Sequence, residues 1–401
     1  MVREGVSHAW HHRKHRCGAT IWSAEMTRTS GADRRDQRTN LGIESAAVKA
    51  RLSALVTVVI GIAAVACGSA LEPRGHTSRP PAQITLYAIP TRDSNPGSIT
   101  AGPDGNLWFT ETNANKVAKV TVSGTFTEYS IPTPASGPRG IATGPDGNLW
   151  LTEDLANKIA KVTTSGAITE YSIPTPASLP WDIVAGPDRN LWFTENHANK
   201  VAKITTSGVI TEYTTPAICD PLGIAKAADE SLWFTVTRAA DSLVWPECGG
   251  FSVAKVTTSG AITHYPLPGA DQLGTVGQPG RIAAGPDGNL WFTQCTWMTA
   301  PEVARVTPSG AFTEYRIPFD DIPEACPDGI TAGPDGNLWV TMSLGGFVVR
   351  LTPAGAFTEY TFPGFSPYRF TTFHSNQGGI ATGPDGNLWI TGPNDVAKIV
   401  P

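Results

Sequence analysis

The sequence predicts an all-β, seven-bladed β-propeller with four antiparallel strands per blade and the last blade closed by an N-terminal strand over residues 83–89. Three observations predict it. The phrase GPDGNLW recurs at 102–108, 144–150, 285–291, 333–339 and 383–389, with GPDRNLW at 186–192 and a degenerate copy, AADESLW, at 227–233. Each period carries the same four short apolar runs separated by turn residues. The two ends of the repeat array are incomplete in complementary ways.

The elements follow in order. The seven tryptophans, Trp108, Trp150, Trp192, Trp233, Trp291, Trp339 and Trp389, are spaced 42, 42, 41, 58, 48 and 50 residues apart. In the second repeat, 139–143 reads as a first strand and Pro-Asp-Gly-Asn at 145–148 as a hairpin turn. Residues 149–153 read as the second strand, 158–163 as the third and 167–173 as the fourth, after the Ser165-Gly166 turn. Gly and Asn fall where hairpins need positive φ. Leu-Trp-Phe is apolar on both faces, as a strand between two stacked sheets must be. The seventh repeat stops at 396–400 without a fourth strand, while QITLYAI at 83–89 matches the fourth-strand phrase AITEYSI with nothing before it. Pairing the two closes the ring and leaves no free edge.

Composition agrees and excludes other classes. Gly numbers 41 and Pro 33 in 401 residues, and charged residues make up only 16%. That is too apolar for a disordered chain and too interrupted for helical bundles. Residues 83–401 carry 18 basic and 29 acidic side chains, a net of −11. An acidic body argues against nucleic acid, whose phosphates recruit Lys and Arg.

The first 82 residues read as an address. Residues 1–47 are a polar tail, or a start assigned too early, with Val48 as initiator. The cluster His8, His11, His12 and His15 lies beside Arg13, Lys14 and Arg16 and reads as solvated rather than as a metal site. Residues 48–67 form a secretion signal: Lys49 and Arg51, an apolar run over 52–66, then Ala-Val-Ala before Cys67, the candidate lipidated residue. Cleavage near Ala66 without lipidation is the alternative. Residues 68–82 are a linker. The chain is therefore expected outside the cytoplasm, lipid-anchored or secreted, touching a membrane only through that anchor.

First-strand starts and second-strand ends share one end of the ring, where loops gather around the channel. The expected binding face there comprises Glu111, Arg139, Glu153, Trp181, Asp182, Arg281, Trp297 and Arg369, with Glu195, His197 and Asp328 close by. Insertions at 239–250, 269–278 and 362–376 fall at this end, the last carrying five aromatics with Arg369 and His374. Long loops on one face suit a small molecule or peptide; capping the channel mouth is the plainer reading. A monomer is expected. Cys219, Cys248, Cys295 and Cys326 also fall in these loops, and pairs 219–248 and 295–326 are expected, with three connectivities open. A four-Cys zinc site is the alternative, without the usual C-x-x-C spacing. His264 replaces a Glu on an outer strand and is expected to face solvent.

The phrases TEYSIPTPAS at 169–178, GPDGNLWFTE, and NK-x-A-K-[VI]-T resemble those of the virginiamycin B lyase (streptogramin B lyase) family across residues 83–401. The resemblance implies a propeller lyase that opens cyclic depsipeptides by eliminating across the ester C–O bond, assisted by magnesium. It implies histidines in Pro-His-[Ala/Gly]-Ile phrases at the first-strand starts of the last two blades. A Glu two residues before the second histidine and a metal-holding Glu after the last Trp strand complete the set.

Carried over, these positions hold Asp328 in Pro327-Asp328-Gly329-Ile330 and Asn376 and Gly378 in the last phrase. Ile390-Thr391-Gly392-Pro393 follows Trp389. No matching catalytic residue survives, and glycine cannot act as a base. Relocated acid–base candidates are His197 with Glu195 and Asp328 with His374. Two readings stand: an exported propeller that binds a ligand or partner, with no certain cofactor and an unknown metal site; or a magnesium-assisted carbon–oxygen lyase with moved catalytic residues. A purely structural or sensory surface module is a third.

Overall fold

The structure is a computed structural model that describes residues 83–215, 220–237, 250–269, 277–295, 301–318, 326–343, 347–361 and 379–401. The chain divides into two units, Met1–His76 and Thr77–Pro401. The first lies outside the described residues, as do the rest of the linker and Cys67 with its signal-like stretch.

The described strands form seven four-stranded antiparallel sheets. Blade two shows the pattern: Pro138–Thr143 innermost, then Leu149–Glu153, Lys158–Val162 and Ile168–Ser172. These lie within a residue or so of the sequence reading. Blade seven is made of Ile380–Thr382, Leu388–Thr391 and Asp395–Val400, completed by Gln83–Ala88. That outer strand runs in register from Gln83 opposite Val400 to Ala88 opposite Asp395. Each innermost strand neighbours the next, and that of blade seven returns to that of blade one. The ring is closed.

The core lies between blades, which explains the two-sided apolarity of the second strand. Trp108 packs on Ile141, Leu149 and Leu151 of blade two. Its neighbours Leu107 and Phe109 face the other way, toward Trp389 of blade seven. All seven repeat tryptophans are fully buried. Burying about 200 Å² of indole at about 25 cal/mol/Å² stabilises by roughly 5 kcal/mol each against an extended chain.

The GPDGNLW phrase exists to seat that indole. Trp108 Nε1 donates to Asp104 Oδ1 at 3.0 Å, and the Asn106 amide nitrogens donate to the same carboxylate. Trp150, Trp192, Trp291, Trp339 and Trp389 repeat the bond at the same distance. In degenerate blade four the Ser231 hydroxyl takes over, accepting from Trp233 Nε1 at 2.8 Å. The leading glycine is required because a Cβ on Gly102 would come within 2.4 Å of the Trp108 ring.

Among the described residues, a threonine bolts six of the seven seams. In blade two the first strand carries one extra residue between Pro138 and Ile141 relative to its partner. This bulge leaves the Gly140 N–H to the Thr152 hydroxyl, at 2.9 Å. Thr152 in turn donates to Trp181 O of blade three at 2.9 Å. Thr110, Thr194, Thr235, Thr293 and Thr391 make the matching bond to the following blade. Thr391 reaches Gly97 O at 2.7 Å and so bolts the last blade to the first.

Candidate functional site

The same bulges create the site. A bulge re-aims side chains at a sheet edge, and one occurs after Pro96, Pro138, Pro180, Pro221, Pro279 and Pro327. The two residues following each proline are therefore presented at the mouth and wall of the channel. They are Gly97-Ser98, Arg139-Gly140, Trp181-Asp182, Leu222-Gly223, Gly280-Arg281 and Asp328-Gly329. Glycine alternates with side chains here because the strands crowd: a Cβ on Gly140 would come within 2.9 Å of Asp182 Cα.

Arg281 crosses the channel. Its Nη1 lies 3.0 Å from Asp182 Oδ1 in blade three, and its Nη2 donates to Ser98 Oγ in blade one at 2.9 Å. Asp182 also accepts from its neighbour Ile183 N and from Ile224 N of blade four. One guanidinium thus joins three non-adjacent blades across the channel.

Arg139 and Trp181 meet at the rim. The Arg139 guanidinium lies over the Trp181 ring, 4.0 Å from its centroid, while Nε is bonded to Asp154 Oδ2. Asp154 is buried and its second oxygen, Oδ1, has no hydrogen-bond partner; nor has Trp181 Nε1.

Glu111, Glu153 and Glu195 depart from the expected face. All three are fully buried, and their carboxyl oxygens have no hydrogen-bond partner. They end second strands whose odd-numbered side chains face the preceding blade, so a polar residue at a loop edge is covered by the neighbouring sheet. Burial pushes the Glu111 carboxyl up to about 7, against the nearby Ser94 hydroxyl. It pushes Glu153 and Glu195 up to about 8, helped by the charges of Glu170 and Glu212. Desolvation favours the neutral acid. The same position in blades four, five and six holds Val236, Gln294 and Met342. Every alternative occupant is uncharged, in accord with carboxyls that stay protonated.

The histidine candidates do not assemble. His197 is exposed in the turn after the second strand of blade three, held by its backbone N–H to Ser178 O, while Glu195 is buried without a hydrogen-bond partner. They form no acid–base pair. His264 is half-buried rather than solvent-facing, with Nε2 2.6 Å from Ser252 Oγ; burial lowers its pKa. This Ser–His contact replaces the Lys116–Glu128, Lys158–Glu170 and Lys200–Glu212 ion pairs of blades one to three. Asp328 is buried at the channel wall, its carbonyl accepting from Thr293 Oγ1 at 3.2 Å. Cys295 and Cys326 are joined in a disulfide, with Cα atoms 5.1 Å apart. Cys219, Cys248, Trp297, Arg369 and His374 lie outside the described residues.

The donor set does not fit the magnesium implied by the lyase resemblance. After Trp389 the only side-chain oxygen before Asn394 is Thr391 Oγ1, already bonded to Gly97 O and Gly379 N. Among the described residues, no three His, Cys, Asp or Glu side chains are grouped to hold a metal.

Fold and mouth together define a seven-bladed propeller whose channel is crossed by an arginine bridge and whose rim carries an arginine–tryptophan contact. The chain belongs to the virginiamycin B lyase family, which it matches over residues 74–268 and 236–377. It is similar to a solved streptogramin B lyase: 31% identity over 79% of this chain and 97% of that one, TM-score 0.66. It is similar to a catalytically inactive histidine-to-alanine variant of virginiamycin B lyase from Staphylococcus aureus with quinupristin: 30% identity, 80% and 99% coverage, TM-score 0.67. Hydrazine synthase of Kuenenia stuttgartiensis, at 15% identity, 77% and 97% coverage and TM-score 0.60, shares the fold alone.

Proposed function

We propose that this member of the family is an exported propeller that binds a ligand at the channel mouth and has lost the family's elimination chemistry. The observation that carries the reading is Asp328. It stands where the resemblance implies a histidine, in a bulge whose geometry is otherwise kept: Gly329 N donates to Thr341 Oγ1 at 2.8 Å. The scaffold for the base is present and the imidazole is not. Loss of one histidine accompanies inactivity in the quinupristin-bound relative named above. Here Gly378 also stands at the second histidine position, and fold alone does not carry chemistry.

Export rests on the signal-like stretch 48–67 and on the Cys295–Cys326 disulfide, a bond that persists in oxidising compartments. Lipid anchoring through Cys67 and a monomeric state belong to the same proposal. The test is quinupristin with magnesium, followed by liquid chromatography–mass spectrometry. The expected result is an intact macrocycle. A linear product of unchanged mass would establish elimination and return the chain to lyase chemistry, with Asp328 the first residue to replace.

A further inference from the structure

We propose that Arg139, Trp181 and Asp154 form a subsite for a neutral amide carrying an apolar substituent, its carbonyl oxygen facing the Arg139 and Trp181 donors and its N–H facing Asp154 Oδ1. The inference rests on the ligand-binding reading above and gives it a chemistry and a place.

The argument starts from a break in the repeat. In blades one and three, which flank blade two, the first residue after the second strand secures the next blade. Thr112 donates to Pro138 O at 2.7 Å, and Asn196 Nδ2 donates to Pro221 O at 3.2 Å. In blade two this residue is Asp154, an acceptor that cannot donate to a carbonyl when ionised. It binds Arg139 Nε instead. At this seam the position turns instead to the arginine that stacks on the tryptophan.

Those two residues then hold an ordered group of unused donors. Nε is engaged and the guanidinium plane rests on the indole. Neither Nη of Arg139 makes a hydrogen bond among the described residues, and the side chain remains partly exposed. An arginine clamped by a carboxylate and a ring presents the paired Nη edge with little rotamer entropy left to lose. Trp181 Nε1 and Asp154 Oδ1 are buried polar atoms without protein partners. Such groups call for a water or a ligand.

Charge selects the ligand. Arg139 is balanced by Asp154, and Arg281 by Asp182. Glu153 and Glu195, with raised pKa values, add little negative charge at neutral pH. Among the described residues of the mouth these ion pairs leave no excess positive charge, and residues 83–401 carry a net charge of −11, which offers an anion no long-range attraction. A carbonyl oxygen takes the Nη donors without bringing charge. Leu155, 69% exposed and beside Asp154 in sequence, supplies the adjoining apolar surface.

The test is a saturation-transfer NMR titration of the full chain with N-acetyl-phenylalanine amide, and with N-acetyl-phenylalanine as the anionic counterpart. The amide is expected to bind and the acid to bind more weakly. Arg139→Lys keeps the charge and loses the fork; it should weaken the amide about tenfold, the worth of one charge-assisted hydrogen bond. Trp181→Leu should weaken it similarly. Thermal melts of both variants separate this from misfolding. Tighter binding of the acid, or amide binding unchanged in both folded variants, overturns the assignment. Quinupristin cleavage would overturn the function proposed above while leaving this titration to decide the subsite.

Discussion

Arg281 and Asp182 are joined at 3.0 Å across the ring although the blades carrying them are not neighbours. Arg281 also reaches Ser98 of blade one, while the innermost strands otherwise pack on those of adjacent blades, so this bridge resists a different deformation: collapse or shear of the channel. Both side chains are mostly buried. Breaking such a pair by removing one partner strands the other charge. Arg281→Met should cost about 2 kcal/mol, below the about 3–5 kcal/mol of wholly buried pairs. Asp182→Asn in that background should add less than it costs alone. Denaturant unfolding in a double-mutant cycle checks this, and additive losses would show the two residues to be uncoupled.

Stability should peak at mildly acidic pH. The buried Glu111, Glu153 and Glu195 have folded pKa values of about 7, 8 and 8, above the ordinary 4.5. Their contribution is full below the unfolded value and is lost as pH rises through 4.5 toward 8. Asp385 works in the opposite sense. Burial pushes its carboxyl up, but bonds from Lys398, Asn387 and Trp389 prevail and hold it down to about 2. Its contribution is full above 3.8 and is lost as pH falls through 2. Melting temperature should therefore be highest near pH 4–5, between these two windows. Glu153→Gln, imitating Gln294, should raise stability at pH 8 by about 2 kcal/mol or more and leave it nearly unchanged at pH 4. Equal effects at both pH values would mean Glu153 is ionised in the fold.

Leu179 should be replaceable with a gain. It adopts φ 49°, in the left-handed region, immediately before Pro180. The equivalent residues are Asn95, Gly137 and Asp220, all at positive φ and all tolerant of it. A branched apolar side chain there costs about 1 kcal/mol. Leu179→Asn should recover most of that, seen as a higher melting temperature. A loss would indicate that the Leu179 side chain contributes packing that outweighs its backbone strain.

Thr391 should govern the seam between the last blade and the first. Thr391→Val keeps the shape and leaves Gly97 O and Gly379 N without their partner. Unsatisfied buried groups make the expected cost about 2 kcal/mol. Hydrogen exchange should accelerate at Gly97–Ile99, while Thr152→Val accelerates exchange at Trp181–Ile183 instead. Loosening spread evenly around the ring in either variant would contradict the view of each threonine as a local bolt.

The blades were legible because their chemistry is local. Asp104 and Trp108 lie four residues apart, and Gly102 beside them is required by the same indole. Any chain repeating that phrase must repeat that turn. The closing strand was legible from one fourth-strand phrase standing alone. The site was less so. Glu111, Glu153 and Glu195 read as loop-edge acids, yet a propeller covers both faces of its second strand, and polarity gives no clue that a neighbouring blade lies over them. The Arg281 bridge to Ser98 spans 183 residues, and no spacing rule foretells it. Bulges decided which residues face the channel, and a proline before each, followed in all but blade three by a glycine within two residues, was their trace in the sequence.

The outer strand of blade seven is the first described segment to be synthesised and its partner, Asp395–Val400, is the last. Blades one to six can each assemble as they emerge, but the circle cannot be sealed until Asp395–Val400 has been made. Until then the Trp389 pocket has no Tyr87 stacked upon it, a contact the finished protein holds at 5.6 Å between ring centroids. A chain cut short by even one strand at its carboxyl end would leave an open arc with two sticky edges. The fold therefore carries its own test of completeness, and any chaperone or protease that recognises exposed strands can read it.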